Sequence, residues 1–386
     1  MPARALQPVA AGDPGAAAKL LAALEAALAG GPAVLPLSAD PVVAQRVLDA
    51  ARPELGVPDA AAAVLASSGS TAEPKLVLLS ADAMRRSADA THERLGGPGG
   101  WLLALPPHHV AGLQVVLRCL HAGTPLSTVD TAAGFTVAAF ADAVRRMPAG
   151  RRYTSLVPTQ LGGLLDAGRA DVLAGFDAVL VGGAATPAAM AARAEAAGMV
   201  LRRSYGMSET CGGCVYDGVE LTGVDVTVDA SDGAIGAVRI GGVTLASGYL
   251  RDPGATAVAF AGGWFATRDI GRRGPGGRLD IVGRSDDVVV TGGEKVAPGL
   301  VERALRQVPG VLDACVVGVP DPRWGRVVAA VVVTTGPDDD LLREAVRSSV
   351  GSTAVPKRIR YADRLPMLAS GKVDRRTVLA MLSNRP

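Results

Sequence analysis

Six short stretches of this 386-residue chain combine residue types that can do chemistry. Ser67-Ser68-Gly69-Ser70-Thr71-Ala72-Glu73-Pro74-Lys75 gathers hydroxyls, small residues and a lysine. Backbone N–H groups with Ser and Thr hydroxyls can wrap phosphate oxygens, and lysine adds a compact positive charge. The run lacks the glycine pair and Lys-Ser/Thr ending of a Walker A loop, and a polar surface turn is the plainer alternative. Ser204-Tyr205-Gly206-Met207-Ser208-Glu209-Thr210 sets an aromatic able to stack on a base beside a glycine, a hydroxyl and a carboxylate. Mg²⁺ takes oxygen ligands, often one carboxylate plus substrate phosphates, so Glu209 alone suffices; otherwise it is a solvated glutamate on a loop. In Gly263-Trp264-Phe265-Ala266-Thr267-Arg268-Asp269-Ile270-Gly271, Asp269 sits in a turn after an aromatic pair and can accept both hydroxyls of a ribose, or cap a helix. The last three stretches are Gly283-Arg284-Ser285-Asp286-Asp287, Thr291-Gly292-Gly293-Glu294-Lys295-Val296 and Pro366-Met367-Leu368-Ala369-Ser370-Gly371-Lys372-Val373-Asp374-Arg375. Taken singly, Lys372 in its glycine loop reads as a solvated tail residue.

The elements that must position these residues alternate. The first sixty residues read as Ala/Leu helices around one strand, 33–37. A strand at 61–65 feeds the first polar loop, Ser80 caps a helix to about residue 95, and 101–105 is a buried strand. A helix follows at 112–122. Strand 153–157, helix 159–166, strand 178–181, helix 187–197 and strand 200–203 continue the alternation, which predicts a parallel α/β sheet. In such sheets ligands gather at loops leaving the carboxyl ends of strands, and Gly182-Gly183 and Gly206 would lie in those loops. After residue 220 short strands take over, and a compact α+β unit begins near 284–287.

Composition bounds the rest. At roughly 100–200 residues per domain the length suits a large and a small domain. Hydrophobic residues at 49% and charged residues at 20% allow a sizeable core. A net charge of +2 and 3% aromatics argue against a nucleic-acid or polybasic membrane binder. The N-terminus lacks the apolar region of a signal peptide, and the most apolar run, 327–333, is far below the ~18 residues of a membrane span. A cytoplasmic location follows as the expectation. Cys119, Cys211, Cys214 and Cys315 do not make a disulfide framework. The Cys211-Gly-Gly-Cys214 motif has no second ligand pair and reads as a loop with incidental thiols.

Together, and in this order, the six stretches resemble the adenylate-forming enzymes: acyl- and aryl-CoA ligases, adenylation domains of peptide synthetases, and luciferases. The resemblance runs from about residue 63 to 376. It implies an α/β fold with a large N-terminal domain, part of it a distorted barrel, and a small mobile α+β C-terminal domain. The boundaries would be 1–284 and 285–386, with the active site between them and a hinge near Asp286. By that resemblance Ser67, Ser68, Gly69, Ser70, Thr71 and Lys75 bind the pyrophosphate part of ATP. Gly182, Gly183, Ala184 and Tyr205, followed by Gly206, line the adenine slot, and Ser208 meets the α-phosphate. Glu209 holds Mg²⁺, and Asp269 holds the ribose with Arg284 nearby. Gly292, Gly293, Glu294 and Lys295 form the loop that enters for the thioester step, and Lys372 bridges acyl carboxylate and phosphate during adenylation. Ala72 and Glu73 depart from the pattern, since a glycine commonly stands there, and a carboxylate beside phosphates predicts weaker ATP binding. The part before the first stretch is also short for the family.

Within Leu102-Leu103-Ala104-Leu105-Pro106-Pro107-His108-His109-Val110-Ala111-Gly112-Leu113-Gln114 the histidine region borders the family's acyl pocket. His109, Gln114 and Thr159 are the lining residues to expect. This stretch, the compact length and the Ser-Gly-Lys-Val-Asp-Arg-Arg ending resemble the branch that joins o-succinylbenzoate to coenzyme A in menaquinone biosynthesis, notably its short actinobacterial form. The implied reaction consumes ATP, an aryl acid and CoA, with no nucleic-acid or membrane partner; a homodimer is left open. Another aryl- or acyl-CoA ligase, a stand-alone domain loading a carrier protein, and a non-catalytic nucleotide-binding homologue are the alternatives.

Overall fold

In the computed structural model, which describes residues 3–11, 14–67, 74–131, 134–231, 233–336, 338–368 and 373–383, the alternating middle of the chain forms a seven-stranded sheet. Its order is Leu126–Thr128, Gly100–Leu103, Arg152–Leu156, Ala178–Val181, Leu201–Met207, Gly212–Tyr216 and Val219–Glu220. The first five strands are parallel and the last two antiparallel. Helices Val110–Ala122, Val137–Arg146, Pro158–Asp166 and Ala188–Ala196 lie in the crossovers. Leu102, Leu156, Val179, Val181 and Leu201 share one core with Phe140, Leu161, Leu164 and Ala194 of the helices. Burial of this kind is why the strands read as continuous apolar runs rather than alternating ones. Gly100–Leu103 has the next strand in sequence on one side and the following one on the other. The winding therefore reverses between Gly100–Leu103 and Arg152–Leu156, the place where an open α/β sheet receives ligands.

A second sheet has the order Gly248–Tyr249, Lys75–Ser80, Ala61–Ser67, Ala33–Leu37 and Leu6–Ala10. The sequence pattern predicts only one strand before residue 60; the structure adds Leu6–Ala10, parallel to Ala33–Leu37. Pro8 weakens the strand signal, and the edge position tolerates it because no partner needs its missing N–H. Lys75–Ser80, also unanticipated, pairs antiparallel with Ala61–Ser67, so Ser67 and Lys75 face each other across a hairpin. The strand then turns into helix Ala81–Leu95, where Ser80 Oγ accepts from the Ala83 N–H at 3.1 Å, as its expected cap.

By compactness the chain divides into Met1–Val226 with Arg239–Ala266, and Thr227–Val238 with Thr267–Pro386. The fold is thus mixed α/β, with a larger N-terminal part and a smaller C-terminal one. In the smaller unit Val311–Asp321 pairs antiparallel with Gly325–Thr334, which pairs in parallel with Arg358–Tyr361. Strand periodicity sends Val316, Val328, Ala330 and Val332 to one face, against Val301, Leu305, Leu342 and Val346. Cys315, Val317, Val327, Ala329 and Val331 go to the other, against Val378 and Leu382. With helices Pro298–Arg306 and Asp339–Ser349 on one face and Arg375–Ser383 on the other, the apolar run 327–333 is a two-faced core strand. Among the described residues no helix is long and apolar enough to cross a membrane.

Candidate active site

Strand Leu201–Met207 runs past Arg203 and carries Tyr205 and Gly206, both half-buried, where the alternation predicts a loop. The reason is its antiparallel partner: Tyr205 pairs with Val215 and Gly206 with Gly213. The two chains approach so closely that a Cβ on Gly206 would lie 2.0 Å from the Gly212 carbonyl oxygen. The strand ends in the turn Ser208–Thr210, closed by the buried Thr210 hydroxyl. Thr210 Oγ1 accepts from the Met207 N–H at 3.0 Å and donates to Gly212 O at 2.7 Å. Cys211 leaves the turn at a φ of 53°, a left-handed geometry that costs a residue with a Cβ about 1–2 kcal/mol.

That turn buries Glu209 to 9% exposure. Its backbone oxygen accepts from the Ala246 N–H at 2.8 Å, and its Oε1 accepts from the Tyr249 hydroxyl at 3.0 Å. Tyr249 lies on Gly248–Tyr249, paired with Lys75–Ser80, and Lys75 Nζ stands 4.9 Å from the centroid of its ring. Lys75 and Glu209, far apart in sequence, are therefore joined through one tyrosine that sequence reasoning missed. An aromatic after a glycine in a region of short strands gives no local signal of that role. Ser68, Gly69, Ser70, Thr71, Ala72 and Glu73 lie outside the described residues, between the paired Ser67 and Lys75. Gly182, Gly183 and Ala184 follow the carboxyl end of Ala178–Val181, next to Leu201–Met207 in the sheet.

Cys211 and Cys214 are both fully buried, and burial pushes each thiol up to about 12. Thiolate chemistry near neutrality is disfavoured at both, and Cys214 lies on strand Gly212–Tyr216 rather than in a loop. No group of three or more His, Cys, Asp or Glu able to hold a metal ion occurs among the described residues.

His109 and Thr159 follow the carboxyl ends of Gly100–Leu103 and Arg152–Leu156, the two strands that flank the winding reversal. His109 opens helix Val110–Ala122 and Thr159 lies in the first turn of Pro158–Asp166; both are exposed. Gln160 ties the two loops together, its Nε2 donating to Ala104 O at 3.0 Å and its Oε1 accepting from the Val157 N–H at 3.1 Å. Gly112 admits the close return of the chain, since a Cβ there would meet Pro106 O at 2.4 Å. Gln114 is 1% exposed, and neither its oxygen nor its nitrogen has a hydrogen-bond partner among the described residues. His108 packs on His109 with ring centroids 4.2 Å apart, and burial followed by the His109 charge holds its pKa down at about 4.

In the smaller unit Asp269 lies within strand Trp264–Arg273, not in the turn the sequence suggests, and is 9% exposed. It pairs across an antiparallel hairpin with Arg284, whose Nη1 is 3.7 Å from Asp269 Oδ1. Arg284 Nη2 is also 3.3 Å from Asp286 Oδ2, which Arg268 approaches at 3.2 Å. Gly292 and Gly293 form the tip between Val289–Thr291 and Glu294–Val296, with φ of 57° and 88°. Paired positive φ values are what a two-residue hairpin of this hand demands, and glycine supplies them without a Cβ clash. Glu294 and Lys295 are exposed beside the tip. Lys372 lies outside the described residues, but its flanks are tied: Met367 pairs with Val373, and the Asp374 N–H donates to Pro366 O at 2.8 Å. Arg375, next in the chain, donates to Glu302 Oε1 at 2.8 Å and Val316 O at 2.7 Å, and is 3.4 Å from Asp287.

Residues 16–250 match the model of the AMP-binding enzyme, and residues 300–372 that of the AMP-binding enzyme C-terminal domain. A probable 2-succinylbenzoate–CoA ligase of Mycobacterium tuberculosis is 44% identical over 368 residues, 93% of this chain and 94% of that protein. The 2-succinylbenzoate–CoA ligase of Bacillus licheniformis is 31% identical over 340 residues, 82% of this chain and 69% of its own. Among solved structures, ATP-bound MatB from Rhodopseudomonas palustris superposes with a TM-score of 0.84 at 23% identity, covering 99% of this chain and 89% of that one. The o-succinylbenzoate CoA synthetase of Bacillus subtilis, in complex with its acyl-adenylate intermediate, gives 0.75 at 21% identity, with 97% and 88% covered. The two family models cover most of the chain and a relative 44% identical spans nearly all of it, so the chain belongs to the AMP-binding enzyme family.

Proposed function

We propose that this chain is an ATP-dependent acid–thiol ligase that converts 2-succinylbenzoate to its CoA thioester. The observation that carries the reading is the 44% identity to the M. tuberculosis 2-succinylbenzoate ligase across nearly the full length of both chains. In the first step a carboxylate oxygen of the acid bonds to the α-phosphorus of ATP while the bond to the β-phosphate oxygen breaks, releasing pyrophosphate. In the second, the CoA sulfur bonds to the acyl carbon, AMP leaves with the bonding pair, and the thiol proton is lost. No side-chain nucleophile is required.

The first step brings two anions together, so the chain must supply fixed positive charge and oriented donors. Lys75 with Ser67, Ser68, Gly69, Ser70 and Thr71 takes the pyrophosphate part, and Ser208 the α-phosphate. Tyr205 with Gly182, Gly183, Ala184 and Gly206 takes the adenine. Asp269 accepts the ribose hydroxyls, its carboxylate oriented by Arg284, and Lys372 bridges carboxylate and phosphate. Glu209 fits Mg²⁺: it offers one buried carboxylate whose second oxygen is not taken by Tyr249, which suits a hard cation that keeps phosphate and water ligands rather than a protein cage. When bound, that ion neutralises phosphate charge. Gly292, Gly293, Glu294 and Lys295 serve the thioester step, with Asp286 as the hinge between parts 1–284 and 285–386. His109, Gln114 and Thr159 line the acid site at the winding reversal.

The test is a panel of aryl and acyl acids supplied with ATP and with CoA as the sole thiol. Pyrophosphate release and the acyl-CoA product, identified by mass spectrometry, are both read. The expected outcome is a thioester from 2-succinylbenzoate and little from benzoate. Pyrophosphate release without acyl-CoA would move the acceptor to a carrier protein or an amine, and no release with any acid would end the enzymatic reading.

A further inference from the structure

The strand pair that carries Lys75 also carries a side chain with two ends. Tyr249 is 7% exposed, and its ring is held edge-on by Phe260 with centroids 5.6 Å apart. Its backbone N–H donates to Thr256 Oγ1 at 2.9 Å, and Tyr249 pairs with Val77 on the strand that begins at Lys75. The side chain therefore has little freedom of its own. One end, the hydroxyl, donates to Glu209 Oε1 at 3.0 Å. The other, the ring face, lies 4.9 Å from Lys75 Nζ, within the range at which an aromatic quadrupole attracts an ammonium group.

The geometry points to Tyr249 as a positioning residue for the adenylation step, one that fixes the carboxylate of Glu209 and the ammonium of Lys75 from a single rigid ring. The inference rests on the reading of Glu209 as the Mg²⁺-holding carboxylate and Lys75 as a phosphate-binding cation. By taking one carboxylate oxygen, the phenol fixes the rotation of the group and directs the other oxygen toward an incoming cation. A free glutamate would have to lose that freedom on binding. The ring face does the same for Lys75, whose long flexible stem otherwise leaves its charge spread over many rotamers. Because the turn of Glu209 and the hairpin of Lys75 belong to different sheets, one tyrosine sets the spacing between a metal-holding and a phosphate-holding group. Hydrogen-bond partners of metal-holding carboxylates are typically worth 10- to 100-fold in metal affinity or activity.

Tyr249→Phe separates the two ends, because it removes the hydroxyl and keeps the ring. ATP binding by calorimetry, with EDTA and then with saturating Mg²⁺, is compared for wild type, Tyr249→Phe and Glu209→Gln, together with the Mg²⁺ dependence of pyrophosphate release. The expected result for Tyr249→Phe is unchanged metal-free ATP affinity, a 10- to 100-fold higher Mg²⁺ requirement, and a thermal midpoint near wild type. An unchanged Mg²⁺ response in Tyr249→Phe beside a lost one in Glu209→Gln overturns the positioning role. A loss of metal-free affinity in Tyr249→Phe equal to the loss with Mg²⁺ overturns it too, showing a purely structural side chain. If Glu209→Gln keeps the full Mg²⁺ response, it is the assignment of Glu209 that fails, and the two failures remain distinct.

Discussion

The amide of Gln114 is buried with neither end hydrogen-bonded among the described residues, a state that costs about 1–3 kcal/mol in a folded core. It lies on helix Val110–Ala122 against Gly212, where a Cβ would come within 3.1 Å of its Cγ. On the proposal that Gln114 lines the acid site, its buried amide is matched to a polar group of the substrate. Gln114→Leu is therefore expected to melt at the same temperature as wild type or higher, while KM for 2-succinylbenzoate rises about 10- to 100-fold. Thermal melts beside steady-state kinetics check both halves, and a fall in stability with unchanged KM would return Gln114 to the core. Glu209, Lys75 and Asp269 were legible only through the joint order of the six stretches, since each stretch taken singly also reads as an ordinary loop. Gln114 was legible only through its neighbours, and Tyr249 not at all, since its contacts come from residues distant in the chain.

Among the elements, the parallel strands and their helices follow directly from the apolar runs: 33–37 and 178–181 appear as Ala33–Leu37 and Ala178–Val181. The departures are strands that become visible through pairing rather than through their own residue pattern. Lys75–Ser80, Leu201–Met207 and Trp264–Arg273 are arms of antiparallel hairpins with a neighbour in the chain, and Leu6–Ala10 pairs with Ala33–Leu37 across an intervening helix. Pairing also explains Gly206. Gly206→Ala forces a Cβ to within 2.0 Å of a backbone carbonyl of the partner strand, and overpacking of this kind costs about 1–3 kcal/mol. Because Glu209 hangs on the end of that strand, adenylation activity should fall with it. Urea denaturation and pyrophosphate release measure the two effects, and a variant of wild-type stability would mean the strands separate at little cost.

At the scale of the whole molecule, we propose that two stretches of the smaller unit, the Gly292-Gly293 tip and the one bearing Lys372, serve two different half-reactions. Lys372→Ala is expected to lower adenylation by about 10²–10³, the loss seen when one preorganised donor is removed. Thioester formation from pre-formed acyl-adenylate and CoA should stay near wild type. Stopped-flow or quenched assays of each half-reaction decide this, and an equal fall in both would sink the proposal of separate stretches for separate steps. The sequence by itself determined the family, the order of the chemical stretches and the α/β alternation, because each depends on residue types and periods within a few turns of chain. Tertiary structure alone decided that Lys75 and Glu209 meet on Tyr249, that Asp269 sits within a strand beside Arg284, and that Gln114 is buried without a partner. The first and the last depend on packing between segments far apart in the chain, and Asp269 beside Arg284 on the register of a hairpin; residue types within a few turns of chain do not encode these choices.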